Sequence, residues 1–239
     1  MACISRCESA IGTWTRSRGW RVHGRRRRAW PWRLLWFPRP ILRAVQRGVL
    51  GGTFDPPHLA HLFAGEAAYR DLGLDVVTFV PAGAPWQKAA TRVSDAAHRW
   101  EMTRLAVSPV EYFGADDREI RREGWTYTAE TLATFPGDER ITLILGADSA
   151  RNLPTWNRAD DVLGRARIAV MPRPGVHREE VERALGGADH VWLETPEIWL
   201  SGTALRQRAL RGQSLRFLVP EAVWEYVLAH DLYHDGPAG

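Results

Sequence analysis

Gly51-Gly52-Thr53-Phe54-Asp55-Pro56-Pro57-His58-Leu59-Ala60-His61 is the stretch on which the reading of this chain turns. Ahead of it, Gly48-Val49-Leu50 is short, apolar and partly β-branched, as at the end of a buried strand. Behind it, Leu59, Leu62, Phe63, Glu66, Ala67 and Tyr69 read as a helix with one apolar side. The glycines let backbone come close to a ligand. A helix start offers unpaired N–H groups and the positive end of a dipole to an anion, typically a phosphate. His58 and His61 are three residues apart, so they share one helix face and reach the same group. Two histidines at that spacing also make half a metal site, and the residues alone leave that alternative open.

Moving outward, Asp75–Val80 reads as a second strand, ended by Pro81, and a loop follows to Val93. Ser94 is placed to cap a helix over 95–107, with Ala97, Trp100 and Leu105 on its apolar side. Residues 111–114 form a weak strand and 128–135 a short helix stopped by Pro136-Gly137-Asp138. Strands are expected at 141–145, 167–171 and 190–193, and helices at 179–185, 203–211 and about 220–229. Strands alternating with helices predict an α/β fold: a doubly wound parallel sheet with helices on both faces, forming a single domain. In such sheets ligands bind at the carboxyl ends of the strands. The segments after Leu50, Val80, Leu145, Met171 and Leu193 all fall there.

Charge divides the chain of 239 residues. Residues 1–47 hold twelve arginines against one acid, Glu8, a net of +11, so residues 48–239 carry −7. An acidic remainder does not suit a general nucleic-acid surface, and anionic substrates need a local cluster of cations. We expect three regions: an Arg/Trp-rich extension over 1–44, a catalytic domain over 45–234 and a frayed tail over 235–239, with fraying expected from Asp231 onward. The extension reads best as translated upstream DNA, with the true start near Val45. A basic arm for nucleic acid or membrane and a targeting peptide are the other two readings. Cys3 and Cys7 both lie in the extension, so disulfides do not hold the domain. No apolar run reaches the ~18–20 residues of a membrane helix. These features suit a cytoplasmic enzyme without a membrane partner, and leave a homo-oligomer open.

Further candidates follow the other strands. Lys88, in Pro81-Ala82-Gly83-Ala84-Pro85-Trp86-Gln87-Lys88, is the only lysine, against 31 arginines. A slim ammonium suits a crowded phosphate site better than a planar guanidinium. Gly146 ends a strand and Asp148 offers an acceptor-only carboxylate suited to ribose hydroxyls. Arg173 follows the next strand in Met171-Pro172-Arg173-Pro174-Gly175, as a substrate contact or a turn arginine. Leu200-Ser201-Gly202-Thr203-Ala204-Leu205-Arg206 opens a helix with hydroxyls and free N–H groups, and Arg206 one turn in can fork onto the same phosphates. Trp125–Thr131 taken alone is a helix start with a threonine cap, and Trp156 taken alone is a core residue.

The eleven-residue stretch resembles the T/H-x-G-H nucleotidyltransferases, whose domain is Rossmann-like, and among them bacterial nicotinate-nucleotide adenylyltransferase. Five motifs stand in that family's order across about 45–234. The resemblance implies an enzyme of NAD biosynthesis that joins ATP to nicotinate mononucleotide, with Mg²⁺ carried on the ATP phosphates and no metal site of its own. It implies that His58, His61, Lys88 and Arg206 are catalytic. Gly51, Gly52, Thr53, Phe54, Gly146, Asp148, Ser201 and Thr203 would join His58, His61 and Arg206 around ATP. Tyr127, Thr128, Trp156 (stacked on the pyridine ring), Arg173 and Lys88 would take the other substrate. Asp55, beside Pro56, is read as shaping the turn. Ala60, Gln87 and Gly202 depart from the pattern, where the family commonly has glycine, histidine and serine. A sibling transferase acting on nicotinamide mononucleotide or phosphopantetheine, and a weakly catalytic nucleotide-binding regulator, are the rival readings.

Overall fold

In the computed structural model, residues 43–84 and 93–233 are described. Residues 1–42 of the extension, Gln87 and Lys88 lie outside the described residues. Among the described residues six strands form one sheet: β1 Gln46–Gly52, β2 Val76–Pro81, β3 Phe113–Ala115, β4 Arg140–Gly146, β5 Ala166–Met171 and β6 His190–Trp192. Eight α-helices intervene among the described residues: α1 Leu59–Leu72, α2 Ala96–Val107, α3 Thr128–Ala133, α4 Ala147–Asn152, α5 Ala159–Arg165, α6 Arg178–Leu185, α7 Gly202–Leu210 and α8 Glu221–Ala229. The strand order is β3-β2-β1-β4-β5-β6, and every neighbouring pair is parallel.

Side chains alternate across a strand, so a sheet covered on both faces needs consecutive apolar residues. The central strands meet that demand. Val49, Leu143, Leu145, Ile168 and Val170 enter a core with Leu132, Leu153, Val162 and Val181. Their immediate neighbours Leu50, Ile144, Ala169 and Met171 enter another core with Ala60, Ala64, Ala67 and Ala68 of α1. A third cluster joins Met102 and Ala106 of α2 to Leu205 and Ala209 of α7 and Val223 and Val227 of α8.

The strand order reverses at β1, which lies between β2 and β4. Pairing of β1 with β4 ends at Val49↔Leu143, three residues short of Gly52 and Gly146. The two strands therefore part at their carboxyl ends, opening the crevice expected at such a switch point.

Four local expectations are corrected. The N-cap of α2 is Asp95, not Ser94, whose amide is drawn instead to the Asp55 carboxylate at 3.1 Å. Tyr127, not a threonine, stands at the N-cap of α3. Helices α4 and α5 were not expected: six and seven residues long and largely polar, they are held by Ala147 and Ala150 and by Val162. The tail is not frayed from Asp231, because Leu232 and Tyr233 pack on the third cluster.

Candidate active site

β1 delivers the Gly51–His61 stretch to the crevice. Phe54 is buried in the left-handed region (φ 49°), and the Asp55–Pro56 peptide is cis. His58 is the N-cap of α1 and only 1% exposed, whereas His61 is half-buried in the first turn. Their rings stack at 3.7 Å with 20° between planes, and Phe54 meets His61 edge-on at 4.9 Å. The His58 amide donates to His61 Nδ1 at 3.2 Å. A ring nitrogen that accepts from a backbone N–H carries no proton, so neutral His61 holds its proton on Nε2 and presents it as a donor.

Asp55 is the hub of the turn and 2% exposed. Its Oδ2 accepts from the Ser94 amide at 3.1 Å and its Oδ1 from the Tyr233 hydroxyl at 2.7 Å. Arg206 Nη1 donates to the Asp55 carbonyl at 2.7 Å and lies 3.7 Å from Oδ2. Burial, then the adjacent Asp55 charge, raises the Tyr233 hydroxyl above the ordinary phenol range, so it stays protonated and donates. The Asp55 carboxylate is thus occupied by protein donors. Among the described residues no group of three or more His, Cys, Asp or Glu could hold a metal ion. This donor set does not suit a resident metal.

Helix α7 docks on the same turn. Ser201 Oγ accepts from the Ala204 amide at 3.2 Å, so that hydroxyl caps the helix, and Arg206 Nη2 approaches Thr203 Oγ1 at 3.4 Å. The departure at Gly202 has a physical reason here: a Cβ would lie 2.9 Å from the Asp55 carbonyl oxygen. The glycine lets α7 close on the turn, which seats Arg206.

Gly146, Asp148 and Arg173 gather across the crevice. Arg173 Nε lies 3.7 Å from Asp148 Oδ1, and its Nη1 donates to the Leu200 carbonyl at 3.0 Å, just before Ser201. A Cβ on Gly146 would meet Asp148 Oδ1 at 2.6 Å and Arg173 Nε at 2.9 Å. One connected set therefore runs from Asp148 through Arg173 and the α7 start to Asp55 and the histidines. Trp156, half-buried, packs against the first core cluster, to which α3 contributes Ala129 and Leu132, and its buried Nε1 has no hydrogen-bond partner among the described residues. Tyr127 stands at the N-cap of α3 and Thr128 opens it, next to Trp125, which bridges to Ala84. Lys88 lies outside the described residues.

Two residues that hold this site were missed from sequence. Arg99 of α2 is 2% exposed. Its Nε donates to the Ser94 carbonyl at 3.0 Å, Nη1 to those of Thr53 (3.1 Å) and Ala82, and Nη2 to that of Gly83 (2.8 Å). Burial lowers its pKa, against which Asp55 is the first opposing charge. The signal was available: position 99 falls on the buried side of α2 with Met102, Thr103 and Ala106, and an arginine there must find partners. Tyr233 had no comparable signal, standing 178 residues from Asp55.

Residues 49–208 match the cytidylyltransferase-like family model. A protein of Dehalococcoides mccartyi named "Probable nicotinate-nucleotide adenylyltransferase" is 38% identical over 200 residues, spanning 80% of this chain and 98% of that protein. A protein of Moorella thermoacetica with the same name is 36% identical over 203 residues, spanning 81% and 94%. The solved structure of Plasmodium falciparum nicotinic acid mononucleotide adenylyltransferase complexed with NaAD has the same fold. Its TM-score is 0.68 at 14% identity, covering 79% of this chain and 97% of that one. Family model, relatives and fold agree: the chain belongs to the nicotinate-nucleotide adenylyltransferases of the cytidylyltransferase-like family.

Proposed function

We propose that this protein joins ATP and nicotinate mononucleotide, giving nicotinate adenine dinucleotide and pyrophosphate in NAD biosynthesis. The observation that carries the mechanism is the seating of Arg206 and the stacked His58–His61 pair on one turn at the β1/β4 crevice. A 5′-phosphate oxygen of nicotinate mononucleotide attacks the α-phosphorus of ATP. A new P–O bond forms, the bond to the α–β bridging oxygen breaks, and pyrophosphate leaves with that electron pair. The attacking phosphate is already ionised near neutral pH, so no base is needed. The enzyme's work is alignment and stabilisation of migrating charge.

Within this reading His61 donates through Nε2–H to phosphate oxygens, with His58 stacked behind it. Arg206 uses N–H groups not engaged by Asp55 and Thr203 to fork onto the same phosphates. The open amides at the start of α7 and the Gly51–Phe54 backbone cradle ATP, while Gly146 and Asp148 receive its ribose. Lys88 adds a cation from the segment after Ala84. Mg²⁺ enters with ATP and offsets its phosphate charge. Tyr127, Thr128, Trp156 and Arg173 take the pyridine nucleotide, and the reaction belongs to the cytoplasm.

The test is pyrophosphate release by the full chain with Mg-ATP and either nicotinate or nicotinamide mononucleotide. Release favouring the nicotinate form is expected; release with the amide alone would correct the acceptor. Trp156→Ala is expected to raise KM for nicotinate mononucleotide about tenfold, a loss of ~1.4 kcal/mol and within the usual range for base–aromatic stacking. KM for ATP should change less than threefold. A larger effect on ATP than on the pyridine nucleotide would overturn the stacking role.

A further inference from the structure

Asp55 touches no reacting atom in the mechanism above, yet three separate parts of the chain converge on it: the Ser94 amide, Arg206 of α7 and the hydroxyl of Tyr233. Tyr233 comes from beyond α8, the last helix among the described residues, and its hydroxyl also lies 3.7 Å from Met102 Sδ in the third core cluster. A buried carboxylate must be fully bonded to stay in one place. Among the described residues the phenol is the hydrogen-bond donor to Oδ1, whereas the Ser94 amide serves Oδ2. Without the phenol the carboxylate can rotate, and the carbonyl of the same residue, on which Arg206 sits, moves with the turn.

We propose that Tyr233 is a positioning residue for nucleotidyl transfer, fixing Asp55 and through it the seat of Arg206 and the turn that leads to His58 and His61. This rests on the adenylyltransferase reading and deepens it. The chain beyond α8 thereby becomes part of the active-site scaffold. The effect falls on turnover rather than binding, because alignment within about an ångström governs the transfer step.

The test uses the full chain and Tyr233→Phe, which removes only the hydroxyl. Tyr226→Phe serves as the control: Tyr226 makes a hydrogen bond of 2.9 Å to His98 on the same helical layer, away from the turn. Tyr233→Phe is expected to lower kcat five- to twentyfold, with KM for both substrates within twofold and the thermal midpoint no lower than that of Tyr226→Phe. Tyr226→Phe should keep kcat within twofold. Amide exchange in a peptide covering 53–62 should quicken about tenfold in Tyr233→Phe and not in the control. Unchanged exchange in that peptide overturns the proposal, as does quickened exchange with kcat within twofold of wild type. So does an equal loss of kcat in both variants. A wild-type chain that releases no pyrophosphate with nicotinate mononucleotide would count against the adenylyltransferase reading instead, and exchange alone would then decide the role of Tyr233.

Discussion

His61→Ala is expected to lower turnover at least a hundredfold while the fold holds. The asymmetry follows from what the side chain does in each setting. In the folded protein the imidazole accepts from the His58 amide at the start of α1 and stacks on His58. Losing a helix-start partner of this kind costs about 1 kcal/mol. In the proposed mechanism the Nε2–H faces charge moving toward pyrophosphate in the transition state. Removing one such donor costs about 3–4 kcal/mol, or two to three orders of magnitude in rate. The loss of rate therefore exceeds the loss of stability by a wide margin. Steady-state pyrophosphate release, with far-ultraviolet circular dichroism as the check on folding, measures both. Turnover within a fewfold of wild type from folded protein would remove His61 from the mechanism.

Much of this architecture was readable in the residues because the sheet leaves a plain mark. β1, β2, β4 and β5 carry consecutive apolar residues at their centres, as strands buried on both faces must, and each expected strand lies within a residue or two of its observed range. The Gly51–His61 stretch was readable because turn, helix start and paired histidines are local in sequence. Helices α4 and α5 left no such mark. They bury two alanines and a single valine respectively, too little for a periodic pattern to emerge. The scaffold behind the site was hidden for another reason. Asp55 looked like a turn residue, which it is, but its partners come from residues 94, 206 and 233. Tertiary hydrogen bonds of that kind have no period and no spacing. Gly202 illustrates the same limit. Sequence showed only a missing hydroxyl, and the approach of α7 to the Asp55 carbonyl gives the reason for a residue without Cβ.

Arg99→Leu is expected to destabilise the protein by about 3–5 kcal/mol, the largest stability effect among these variants. The guanidinium donates to four backbone carbonyls, those of Thr53, Ala82, Gly83 and Ser94. These belong to three segments: the turn after β1, the segment after β2 and the approach to α2. Ala82 and Gly83 stand before residues 85–92 and Ser94 after them, so one side chain ties both ends of the segment that carries Lys88 to the histidine turn. Leucine approximates the aliphatic part of the side chain but offers no N–H. A buried acceptor left without a partner costs about 1–3 kcal/mol, and four of them exceed what local relaxation and entering water recover. Burial of the arginine charge works the other way, since its removal ends a desolvation cost that is reflected in the lowered pKa. That gain offsets only part of the loss, because the charge is already satisfied by four carbonyl dipoles and lies near Asp55. Arg99→Lys separates charge from geometry: it keeps the cation but has three donors on one nitrogen, which cannot span carbonyls aligned to a planar fork. It should fall between wild type and Arg99→Leu in stability. Urea unfolding followed by tryptophan fluorescence gives the ordering directly. A loss below about 1 kcal/mol for Arg99→Leu, or a lysine variant as stable as wild type, would mean that the three segments hold their places without the guanidinium.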